Sequence, residues 1–114
     1  LFGNLDEGEE LHRDEGEKFG IRYLALAHRQ IGRQMDPFTV EYTPASPRDF
    51  MYHDSEEFFV LLEGELVYYI CDDATKKTLH AGDTIYLQAN VPHRVELTAE
   101  CKKAKGLIIY AEPK

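Results

Sequence analysis

From residue 19 onward, apolar residues arrive in short runs separated by turn-forming residues, a spacing that confines the chain to antiparallel β architectures. Residues 21–27 (IRYLALA) read as a first strand, and 37–42 (PFTVEY) alternate so that Phe38, Val40 and Tyr42 share one face. Thr43-Pro-Ala-Ser-Pro47 is a loop, because two prolines remove ladder donors. Residues 58–62 are apolar at every position, so both faces of that strand call for cover. After the Glu63-Gly64 turn, 65–71 continue as a strand, 72–76 form a polar hairpin connection and 77–79 return. His80-Ala-Gly-Asp83 turns the chain into 84–87. Val91, His93, Val95 and Leu97 then alternate with Arg94, Glu96 and Thr98, and 106–111 (GLIIYA) close the domain. No segment holds an amphipathic helical period; residues 7–18 contain helix formers but lack an apolar stripe and carry Gly8 and Gly16. About eight strands at hairpin spacing predict a closed or double-sheet β fold, which protects its edges.

At 114 residues the chain is long enough for one buried core. No apolar run approaches the ~20 residues of a membrane span, and no secretory signal is visible. The net charge of −8 is concentrated near the N-terminus, where seven acids face two bases between Gly3 and Lys18. Residues 1–18 therefore read as a flexible acidic leader or interdomain linker, and 19–114 as the folded domain. An acidic domain has no footprint for phosphate backbones, so direct nucleic-acid contact is not expected. Cys71, within an apolar strand pattern, and Cys101, in a Lys-rich turn, read as reduced thiols of a cytoplasmic protein.

His53 and Glu57 lie four residues apart at the mouth of the 58–62 strand, and extended backbone points both the same way. Gly82 to His93 brings a second imidazole after a Gln-Ala-Asn-Val-Pro turn. Two imidazoles and a carboxylate suit Zn, Fe, Mn, Ni or Cu and leave coordination positions open. Each residue also has a plainer reading. His53 follows a Pro-rich loop as a surface residue would, Glu57 neighbours Glu56, and His93 fits a core histidine satisfied by a carbonyl. Tyr42, Met51, Phe59, Leu61 and Tyr86 are candidates either to line a ligand cavity or to fill the barrel. His12, His28 and His80 sit in polar or turn contexts and read as surface residues. Ser46 and Ser55 have no triad partners by sequence, and there is no Gly-rich phosphate cradle.

These two stretches resemble the two motifs of the cupin superfamily, whose fold is a small jelly-roll β-barrel, or double-stranded β-helix. The first motif, His-x-His, three or four residues, Glu, six residues, Gly, is matched by His53, Glu57 and Gly64, with Met51 in place of the first histidine. The second is matched in spacing by Gly82 and His93, with Asn90 at the usual glycine; Asn tolerates a left-handed turn position. The resemblance spans roughly residues 37–111 and implies metal ligation by His53, Glu57 and His93. A fourth ligand position falls on Met51, a soft thioether ill suited to hard ions.

The segments Tyr23-Leu-Ala-Leu-Ala, Met35-Asp-Pro-Phe38, His53 to Leu66 and Gly82 to Leu87 further resemble the C-terminal cupin of bacterial helix-turn-helix regulators. That resemblance implies an effector-sensing, dimerising domain with a small-molecule ligand and a divalent metal (Zn, Fe, Mn or Ni). DNA binding would then belong to an upstream domain, and the leader and the absent initiating Met fit a piece of such a chain. The other expectation is a stand-alone metal-dependent cupin enzyme, a dioxygenase or isomerase acting on a small polar substrate; the regulator reading favours no catalysis.

Overall fold

The computed structural model describes residues 2–11, 21–27, 34–45 and 49–111. Every regular element among them is a strand: β1 Glu9–Leu11, β2 Arg22–Ala25, β3 Met35–Tyr42, β4 Glu57–Glu63, β5 Glu65–Ile70, β6 Lys76–His80, β7 Thr84–Leu87, β8 His93–Leu97 and β9 Ala104–Ala111. They form a six-stranded sheet in the order β1-β2-β3-β9-β4-β7 and a three-stranded sheet in the order β6-β5-β8. All pairings are antiparallel. The all-β, double-sheet expectation therefore describes the molecule.

Period-two alternation builds the core between the sheets. From the large sheet come Phe38, Val40 and Tyr42 of β3, Phe59 and Leu61 of β4, and Ile108 and Tyr110 of β9; the small sheet answers with Leu66, Tyr68 and Leu79. Phe59, Leu61, Leu66 and Val40 are the largest fully buried side chains, each stabilising the fold by roughly 2–3 kcal/mol. Gly106 on β9 is required by this packing, because a Cβ there would collide with the Phe59 ring. Gly64, with φ 88°, makes the β4–β5 turn; a Cβ would lie 2.6 Å from the Lys103 carbonyl oxygen.

Four local expectations differ from the structure. The acidic leader includes a strand, since Glu9–Leu11 pair with Tyr23–Ala25 in β2 and Arg22 bonds the Glu10 carboxylate; residues 12–18 lie outside the described residues, as do His12 and His28. The strand read over 58–62 is fully enclosed on one face alone: Phe59 and Leu61 point inward, while Phe58 is 37% exposed and Val60 and Leu62 are half-buried. Continuous apolarity thus marks one core face and one partly uncovered outer face. Cys71 lies just past β5, exposed and at φ 67°, so the strand ends one residue earlier than its apolar pattern suggests. Tyr86, a candidate pocket residue, points outward from β7 and is 59% exposed, because Leu87 takes the inward position next to it.

Candidate metal centre

Three segments far apart in sequence converge between the sheets. Glu57 is the first residue of β4, and the alternation that buries Phe59 and Leu61 sends its carboxylate inward too. His93 is the first residue of β8, on the opposite sheet. His53 sits on the segment joining β3 to β4, and backbone bonds tie that segment to the β7–β8 turn. Met51 and His93 exchange paired N–H···O bonds of 2.8 Å, and the Asn90 N–H donates to the His53 carbonyl at 2.6 Å. Asn90 adopts φ 64°, the left-handed conformation that its place at the usual motif glycine demands.

The outcome is one donor atom each from His53, Glu57 and His93, all within 4.8 Å of one another. Glu57 and His93 are buried, and His53 is half-buried. The His53 ring lies 5.4 Å from that of His93 and meets the Tyr110 ring edge-on at 5.3 Å, while Tyr68 stacks on His93 at 5.9 Å and 16°. These aromatic neighbours restrict the orientation of both imidazoles.

Hydrogen bonding tests whether the group fits a cation. His93 Nδ1 lies 2.9 Å from the Val91 carbonyl, an oxygen that can only accept, so Nδ1 carries the hydrogen. In the neutral ring Nε2 is then an acceptor, and it faces Glu57 Oε1 at 3.5 Å. Burial favours the neutral ring, pushing the His93 pKa down against a smaller upward effect of the Val91 bond. Burial also raises the Glu57 carboxyl from 4.5 to about 7, and Oε2 is enclosed without a hydrogen-bond partner. Two facing acceptors and an orphaned carboxylate oxygen call for a proton or a metal ion between them. Two ligands each about 2.1 Å from a shared ion stand about 3–3.5 Å apart, which the His93–Glu57 pair already matches. Metal-ligating histidines are usually fixed by a carbonyl or carboxylate at their other ring nitrogen, and Val91 stands in that relation to His93.

The donors open on a cavity of about 40 Å³ whose lining includes Tyr23, Tyr42, Met51, Tyr68, Arg94 and Tyr110. Of the five candidate pocket residues, Tyr42 and Met51 reach this cavity. Phe59 and Leu61 are 1% and 0% exposed and fill the core beside it, and Tyr86 is on the outer face. The tyrosines of β2, β5 and β9 escaped notice in the sequence because strand pairing, not spacing, brings them here: Tyr110 is the registered neighbour of Glu57. Arg94, on the rim, is engaged elsewhere; it bonds Asp73 at 2.7 Å and stacks on Tyr69 at 3.7 Å.

With this geometry in hand, similarity to known proteins can be placed. The Cupin_2 family model, a cupin domain, matches residues 38–110, and the chain belongs to this cupin family. Among solved structures, hydroxypropylphosphonic acid epoxidase from S. wedmorenis is 22% identical with TM-score 0.78, over 96% of this chain and 58% of that one. The structure of FeII HppE is 22% identical with TM-score 0.77, over 96% and 59%. An HTH_3 family transcriptional regulator from Vibrio cholerae is 17% identical with TM-score 0.67, over 86% and 54%. This chain thus spans less than two thirds of each of these proteins, and at such identities the likeness establishes the fold alone. No curated protein sequence matches the chain. No helix among the described residues is long and apolar enough to cross a membrane.

Proposed function

We propose that this cupin is the effector-sensing and dimerising domain of a transcriptional regulator, with a divalent ion (Zn, Fe, Mn or Ni) held by His53, Glu57 and His93. The observation that carries the metal half is the enclosed Glu57 Oε2, which has no hydrogen-bond partner, on a carboxylate whose Oε1 faces His93 Nε2 at 3.5 Å. The regulator half rests on the structural likeness to the Vibrio cholerae HTH_3 protein. DNA contact would belong to a domain upstream.

A bound divalent ion would supply Lewis acidity and open coordination positions for an oxygen-donor ligand. The chain's own contribution is to orient and enclose. Val91 fixes the His93 tautomer, Tyr68 and Tyr110 hold the imidazoles, and burial of Glu57 keeps water from competing. Dimerisation would use the outer face of the large sheet, where registered neighbours Tyr86, Phe58 and Ile109 form an apolar band continued by Val60 and Leu107. Effector binding would shift the β4 and β8 ends of the site relative to each other and thereby the dimer geometry.

Elemental analysis of purified protein beside Glu57→Gln and His93→Ala tests the centre. Near-stoichiometric metal in wild type and little in either folded variant is expected; metal-free wild type that takes up none of the four ions on addition refutes it. A second reading, a metal-dependent enzyme on a small polar substrate, is favoured by the two-His, one-carboxylate donor set, which is also that of non-haem iron oxygenases. The cavity of about 40 Å³ limits either reading to a very small ligand, since sites that bury drug-sized ligands hold roughly 300 Å³ or more. Substrate-dependent oxygen consumption by Fe(II)-loaded protein would favour the enzyme.

A further inference from the structure

We propose that Tyr42 and Tyr68 complete this centre as hydrogen-bond donors to a small oxyanion of the size of formate, bound beside the metal in the cavity that all five residues share. The inference rests on the metal reading above and adds the chemical class of the ligand.

The two phenols are the feature that hydrophobic packing leaves unexplained. Tyr42 and Tyr68 are 8% and 4% exposed, and both line the cavity. Among the described residues neither hydroxyl has a hydrogen-bond partner, and burial and nearby charges alone perturb them. By contrast Tyr69, on the same strand as Tyr68, donates to Glu96 Oε2 at 2.9 Å. Neither hydroxyl is among the fully enclosed side-chain atoms without a partner, and both residues border the cavity, where phenylalanine would fill the same space without offering a donor. Their rings are held in place, Tyr42 edge-on to Phe59 at 6.5 Å and Tyr68 stacked on His93. The hydroxyls are therefore fixed at the cavity wall.

Charge, donor type and size define what they receive. A divalent ion with the Glu57 carboxylate leaves one net positive charge in a buried site, which favours a monoanion. Phenols are protonated at neutral pH and donate most strongly to anionic oxygen. Arg94 is committed to Asp73 and Tyr69, which leaves Tyr42 and Tyr68 as wall hydroxyls without a hydrogen-bond partner among the described residues. A cavity of about 40 Å³ has room for roughly three to four water-sized groups, enough for an ion and a triatomic carboxylate but not for an aromatic acid.

The test uses protein loaded with Co(II), whose visible d–d bands report the coordination sphere, titrated with formate and separately with benzoate. Wild type should respond saturably to formate and not to benzoate. Tyr42→Phe and Tyr68→Phe should each weaken formate binding about tenfold or more, the loss expected for a hydrogen bond to a charged group. Both variants should keep Co(II) affinity within about twofold of wild type and unfold at a similar temperature. Co(II) uptake without a formate response, equal formate affinity in the Phe variants, or benzoate binding as tight as formate would overturn the oxyanion site while leaving the metal centre standing. Absence of Co(II) uptake by wild type would overturn the metal reading, and the oxyanion site with it.

Discussion

Glu57→Gln separates the energetic cost of the centre from its purpose. Glutamine matches glutamate in volume, and its NH₂ can donate to the His93 Nε2 that faces position 57 at 3.5 Å in the wild type. Burial raises the Glu57 carboxyl from 4.5 to about 7. The folded protein thus keeps a proton that the unfolded chain releases, and stability falls as pH rises through that window. At 1.36 kcal/mol per pH unit, Glu57 costs apo protein about 1 kcal/mol at pH 5 and about 3 kcal/mol at pH 8. His93 acts in the opposite sense: its depressed pKa removes stability as pH falls below 6.5. Because His93 touches position 57 and its titration shifts with the substitution, the same pair compared in a His93→Ala background isolates position 57. Urea denaturation in EDTA from pH 5 to pH 8 should find Glu57→Gln increasingly more stable than wild type. Saturating Mn(II) or Zn(II) should reverse the order, adding about 4.1 kcal/mol to wild type at a thousandfold excess over Kd and much less to the variant. A variant whose stability relative to wild type is flat with pH in EDTA would refute the reasoning, as would one less stable than wild type at pH 8.

Three further perturbations probe other parts of the molecule. His93→Ala should abolish metal uptake while retaining β-type circular dichroism, at a cost of about 1–3 kcal/mol from the lost stacking on Tyr68 and the unpaired Val91 carbonyl, read by denaturant midpoint. Ile109→Glu, on the outer band beside Phe58, should convert a dimer to a monomer in light scattering with less than about 1 kcal/mol change in folding; an unchanged mass would move the interface elsewhere. Gly106→Ala should destabilise by more than about 2 kcal/mol, because its methyl group meets the fully buried Phe59 ring; a pairing with Phe59→Leu should recover part of the loss in a double-mutant cycle.

Much of the large sheet could be read from alternation. Phe38, Val40 and Tyr42 do share the buried face of β3, and 106–111 do form a strand, which begins two residues earlier at Ala104. The convergence of His53, Glu57 and His93 was legible because both motifs constrain local spacing: Glu57 is phased by Phe59 and Leu61, and His93 by the turn that Asn90 makes. What spacing could not give was registration between strands. Tyr110 reaches the site because it is registered with Glu57, and Tyr68 because β5 pairs with β8 beside His93. The same gap explains Tyr86, whose apolar ring suited a pocket equally well until the inward turn of Leu87 decided its face. Glu9–Leu11 carried no strand signal, since two of its three residues are acidic; edge pairing with β2 and the Arg22–Glu10 contact order it.

Glu57 and His93 sit on separate sheets, and among the described residues no strand ladder joins those sheets. Side-chain packing and a few loop bonds, such as Gly82 N–H to the Leu61 carbonyl at 2.7 Å, are what span the gap. An ion gripped from both sides would therefore behave as a rivet, and its removal would loosen one layer against the other before either came apart. Amide exchange should register this as slower opening of β8 and β5 on loading, whereas the β3–β9 pair, secured within its own layer, should change little.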